Sequence, residues 1–127
     1  MQSQERRVLT IDAVNSLATS PYGDGIAILT DADCEENYVQ LRSLPNGLAM
    51  CEVTSRRWGG RLAPLTEQEI AALMRLGFAR PDPNLRQVLN LSQAEAIADI
   101  CEQAFAILDS PATFTLGREM LLLPSAG

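Results

Sequence analysis

Asp31, Asp33, Glu35 and Glu36 crowd four carboxylates into the stretch DADCEE, and closely spaced carboxylates are what a calcium loop is built from. An EF-hand loop begun at Asp31 needs glycine at its sixth position and a bidentate glutamate at its twelfth. Glu36 and Arg42 stand there instead, so the run reads as a solvated turn. Glu67 and Glu69 are a second pair of the kind used in acid–base work. Their setting, Thr66-Glu67-Gln68-Glu69, explains them more simply as a capping box at a helix start.

The remaining chemistry-bearing types are sparse. Cys34, Cys51 and Cys101 stand far apart, odd in number and without a CxxC pair, which speaks against a disulfide framework and for a reducing cytoplasm. Cys34 lies among carboxylates and reads as a bystander thiol; Cys51 and Cys101 fall on apolar faces and read as small hydrophobes. The chain has no histidine, which removes Ser-His-Asp and Cys-His arrangements and the commonest zinc ligand. It has no lysine either, hence no Schiff base and no phosphate-binding loop. No cofactor and no metal are expected, and no enzyme.

Arg56, Arg57 and Arg61 surround Trp58, a combination that can stack bases and contact phosphates. The whole chain carries sixteen acidic against ten basic residues, a net charge of −6, so it repels nucleic acid and anionic lipid. Trp58 is better read as an aromatic over the sheet edge or as an anchor for a protein partner. At 127 residues, 46% apolar and 20% charged, the sequence suits one globular domain with a core of its own. No apolar run reaches membrane-spanning length, and no membrane contact is expected.

The elements that must position these residues are marked unevenly. Thr10 can cap a first helix to about Thr19, with Ile11, Val14, Leu17 and Ala18 on one face. Ile26 to Leu29, apolar throughout, reads as a strand covered on both sides. YVQLRSLPNGLAMCEVTS, residues 38–55, reads as a hairpin, and its loop length decides which residues share a face. A two-residue Asn46-Gly47 turn pairs Leu41 with Glu52 and Arg42 with Cys51, mixing the faces. A three-residue loop, a type I turn with Gly47 in the left-handed region, sets Leu44 opposite Leu48. One face is then Val39, Leu41, Ser43, Ala49, Cys51 and Val53, and the other carries Tyr38, Gln40, Arg42, Leu44, Leu48, Met50, Glu52 and Thr54. The unmixed register is preferred.

A second helix opens on the Thr66 capping box with a Leu65–Ile70 staple and closes at Gly77, with Phe78 placed to touch Leu73. Leu85 to Leu91 reads as a strand. Ser92-Gln93-Ala94-Glu95 reads as another capping box, starting a helix to about Leu108 whose face is Ile97, Ile100, Cys101, Ala104, Phe105 and Leu108. ATFTL reads as a last short strand, and Met120 to Leu123 is apolar enough to pack, with the outer hairpin face as one place it can cover. The expected fold is α+β, an antiparallel sheet with helices on one face in the order α-β-β-β-α-β-α. One domain is expected, with a core over about 8–116 and a C-terminal extension over 117–127.

YVQLRSLPNGLAMCEV, then a polar-capped helix, LGFARPDPN and a long final helix, resembles the actinobacterial YbjN-like proteins, which are grouped with type III secretion chaperones. The likeness covers roughly residues 8–110 and rests on Tyr38-Val39-Gln40, Leu76-Gly77-Phe78, Pro81 and Asn84. It implies a type III secretion chaperone-like fold that binds extended segments of a partner protein, often as a homodimer, without cofactor or turnover. Two functions therefore stand side by side. One is a cytoplasmic, chaperone-like adaptor that takes a partner protein or peptide segment on the face of Tyr38, Arg42, Leu44, Leu48 and Met50, with Trp58 nearby. The other is a structural homodimer or immunity-type protein that closes the same face permanently.

Overall fold

Alternation along the hairpin settles which side of the sheet is filled. In the computed structural model, which describes residues 1–19, 24–56, 60–80 and 82–123, β2 (Cys34–Leu44) and β3 (Leu48–Val53) pair with Leu44 opposite Leu48. That is the three-residue register. Val39, Leu41, Ser43, Ala49, Cys51 and Val53 are all buried on one face. The loop differs from a type I turn: Asn46 takes φ 68° and Gly47 φ 74°, where a type I turn would hold Asn46 near −90°. Asparagine tolerates that region because its short polar side chain bonds locally.

Three further strands extend the sheet. β1 (Asp24–Asp31) lies beside β2, β4 (Leu85–Asn90) beside β3, and β5 (Leu116–Leu123) on the outer side of β1. The order is β4-β3-β2-β1-β5, antiparallel at every step. With α1 (Ser3–Thr19), α2 (Glu67–Arg75) and α3 (Ala94–Ile107), the fold is α+β. α1 and α3 cross the filled face and pack on one another, burying Val14 and Leu17 of α1 and Ile97, Cys101, Ala104 and Phe105 of α3 against it. Ile100 of α3 is half-buried.

Local chemistry fixes α2 at both ends. The Glu69 amide donates to Thr66 Oγ1 at 3.1 Å and the Thr66 amide to Glu69 Oε1 at 2.9 Å, the reciprocal capping box. At the far end Gly77 has φ 104°, its amide donates to the Met74 carbonyl, and that of Phe78 donates to the Leu73 carbonyl. This is the Schellman arrangement, with Phe78 and Leu73 buried beneath it.

Four expectations need correction. α1 begins at Ser3, so Thr10 is no cap: it lies mid-helix, buried, its hydroxyl donating to the Arg6 carbonyl at 3.0 Å. The buried stripe is Arg6, Thr10, Ala13, Val14 and Leu17, while Ile11 is half-buried and Ala18 exposed. Polar residues occupy its first two turns, so the apolar period shows only in the second half. Buried Arg6 is fully partnered: it donates to Glu102 through Nε (2.8 Å) and Nη2 (3.1 Å), and to the carbonyls of Met1, Ala112 and Phe114. Its guanidinium also stacks 4.1 Å from the Phe114 ring centroid.

In β1, Ala27 and Leu29 are buried but Ile26 and Ile28 point to the other face and are half-buried, so the strand is not covered on both sides by the described residues. At α3, Asn90 Oδ1 takes both the Ser92 amide (2.9 Å) and its hydroxyl (2.7 Å). The turn at the end of β4 thereby claims Ser92, and Gln93 holds the N-cap position without a side-chain bond. Finally, residues 117–123 are no extension. They run in β5 against β1, from Asp31 opposite Leu116 to Asp24 opposite Leu123, and widen the sheet instead of folding over it.

Candidate functional site: the open sheet face

Side chains alternate across a sheet, so the face away from the helices follows from the register. Across the five strands it reads in rows. Leu121, Ile26, Arg42, Met50 and Val88 form one continuous line of directly opposed residues. Next to it run Glu119, Ile28, Gln40, Glu52 and Arg86. Leu44, Leu48 and Asn90 border the first row at the hairpin end, and Thr30 with Tyr38 border the second. None of the described helices covers this side.

The first row is apolar except for its centre. Val88 is 51% and Leu121 46% exposed, whereas Ile26 and Met50 are half-buried by their neighbours. Arg42 is exposed between them and makes no hydrogen bond or ion pair among the described residues. The second row is polar and partly locked. Arg86 Nε meets Glu52 Oε1 at 2.6 Å, and Asn84 Nδ2 donates to Glu52 Oε2 at 3.3 Å and to the Tyr38 hydroxyl at 3.1 Å. Asn84 Oδ1 in turn accepts from the Ser55 amide and hydroxyl at 3.0 and 3.1 Å. One buried amide thus anchors the ends of β2 and β3.

Two shallow depressions share Gln40 as their divide. One, of about 420 Å³, is lined by Ile28, Thr30, Glu35, Tyr38, Arg118 and Glu119; the other, of about 400 Å³, by Arg42, Ser43, Leu44, Pro45, Met50, Glu52 and Arg86. The first carries Glu35, Glu119 and Arg118, the second Arg42 and the Glu52–Arg86 pair.

Of the residues expected on a partner face, Arg42, Leu44, Leu48 and Met50 come together here. Tyr38 shares the face two rows away, its hydroxyl tied to Asn84. Trp58 lies outside the described residues. Ile26, Ile28, Val88, Glu119 and Leu121 belong to the same surface and were not anticipated. For β5 the signal was obscured: the alternation that sends Glu119 and Leu121 one way and Met120 the other is hidden in the unbroken apolar run MLLL.

Cys51 offers little reactivity. Cys51, wholly buried, is pushed well above the ordinary thiol range by its hydrogen bond with Cys101 and by desolvation, helped by the nearby Glu52 charge. The Thr66 box accounts for Glu69, and Glu36 accepts the Arg61 and Leu62 amides at 2.6 and 2.9 Å. Among the described residues no three His, Cys, Asp or Glu side chains are grouped to hold a metal ion, and no helix is long and apolar enough to cross a membrane. In comparisons with known proteins the chain matches no family model, no curated protein and no solved structure.

Proposed function

We propose that this protein is a non-enzymatic, chaperone-like adaptor whose open sheet face binds a segment of a partner protein in the cytoplasm. One observation carries the reading: on the side without helices, a row across the five strands is apolar on four of them, Leu121, Ile26, Met50 and Val88, and carries Arg42 on β2 at its centre. A half-covered antiparallel sheet ordinarily turns polar side chains to water. A line of apolar ones there is the mark of a surface meant to be covered. The odd number of cysteines accords with a reducing compartment.

A homodimer closing the same face is the second reading. It is favoured by Arg42 and Glu119, opposite charges on one surface that can pair reciprocally across a two-fold axis. A photo-crosslinking residue at Val88 tests both. A cross-link to a distinct protein, lost on Met50→Asp, supports the adaptor; a cross-link to a second copy, with light scattering at twice the mass, supports the dimer. Adducts no different from those formed at Asp99, on the exposed side of α3, would remove the face from consideration.

A further inference from the structure

We propose that the occupant of the open face is an amphipathic helix of a partner protein, held by a carboxylate over Arg42 and a basic side chain over Glu119. This rests on the reading of that face as a binding surface and specifies what the surface takes.

The main chain argues for a helix. On β1, β2 and β3 the backbone groups are committed to strands on both sides, so the face offers side chains only. An extended segment lying flat on Ile26, Ile28 and Met50 would bury its own N–H and C=O groups with no partner. A helix closes those bonds internally and presents an apolar stripe, the usual way a sheet face is covered.

The charges argue for an order of residues. Among the described residues, Arg42 and Glu119 are the charged groups of the two central rows that stay unpaired, since Glu52 and Arg86 satisfy one another. They lie on β2 and β5, on either side of β1, one opposite Ile26 and the other one row away, opposite Ile28's far side. Two strand spacings and one two-residue step separate them by roughly 12 Å. On a helix that is about seven or eight residues, positions that share a face, with positions three and four falling over Ile26 and Ile28.

Charge argues against a second copy, which would bring together two net charges of −6.

The test uses the full chain and three synthetic peptides of equal length: a stapled helix with Glu and Arg seven residues apart around two leucines, the same peptide with Arg at both positions, and an unstapled version with two central prolines. Amide NMR titration reports both site and affinity. The Glu/Arg helix should perturb Ile26, Arg42, Met50 and Glu119 and bind at least about tenfold tighter than the proline peptide. Arg42→Glu should weaken the Glu/Arg helix by roughly threefold or more and favour the Arg/Arg helix instead. Equal binding of helical and proline peptides, or no response to Arg42→Glu, would overturn the helix while leaving the surface intact. Absence of any perturbation on the open face would remove both. Light scattering that shows a tight dimer broken by Met50→Asp would overturn the partner helix while keeping the surface, because a second copy would then be the occupant.

Discussion

Met50 lies directly across the β2–β3 ladder from Arg42, both on the helix-free face. Opposed side chains in an antiparallel pair interact, and opposite charges there are favourable. Met50→Asp therefore introduces a carboxylate beside a cation that has none. Unfolding free energy should change by less than about 1 kcal/mol, because a half-buried position on an open face loses little packing. Partner capture should disappear. Urea unfolding beside the binding assay checks both halves, and a variant that simply unfolds would mean the face is covered.

Gly77→Val tests the end of α2. The residue has φ 104°, where a β-branched side chain is strongly disfavoured, and an added Cβ would come within 2.6 Å of Gln87 Oε1. A loss of about 1–2 kcal/mol is expected, with Gly77→Asn milder. Equal stability of the valine variant would show that α2 can end some other way.

Arg6 should be among the most sensitive positions. Truncation to alanine leaves the Met1, Ala112 and Phe114 carbonyls and the Glu102 carboxylate without their common donor, and breaking such a buried pair costs about 3 kcal/mol or more. Arg6→Lys should rescue little, since one ammonium cannot reach in the directions a guanidinium fork does. Chemical denaturation of both variants would show it; a full rescue by lysine would reduce the site to a simple charge.

Alkaline pH should erode stability through Cys51. Its thiol is raised in the folded state, so the unfolded chain gives up this proton first. The contribution is intact below the ordinary thiol value of about 9 and is lost as pH climbs above it. The slope is on the order of 1 kcal/mol per pH unit for one such group. Cys51→Ala should remove that component from the pH dependence of the urea midpoint, whatever its fixed packing cost; an unchanged slope would assign the effect elsewhere.

The hairpin and α2 were legible in the sequence because their information is local. Pro45-Asn46-Gly47 with strict alternation fixes a register, and Thr66, Glu69 and Gly77 mark both helix ends within a few residues of where they act. α1 was less legible because two of the five residues of its buried stripe are Arg6 and Thr10. Arg6 is affordable inside only because Glu102, Ala112 and Phe114 arrive from the other end of the chain. The face was half legible for a like reason. Arg42, Leu44, Leu48 and Met50 follow from the hairpin, but Ile26, Glu119 and Leu121 join them through a β1–β5 pairing that no local pattern announces.

That β1–β5 pairing also ties the surface to the order in which the molecule is assembled. Ile26 and Leu121 meet from opposite ends of the chain, and contacts of such long sequence separation form late because loop closure must come first. A folding intermediate with the β2–β3 hairpin in place but β5 unpaired would show Arg42 and Met50 without Glu119 and Leu121. A ligand that spans β2, β1 and β5 therefore discriminates between the finished protein and its precursors. Its binding energy also falls on β5, which among the described strands has a neighbour on one side only, and so secures an element held by contacts from the far end of the chain.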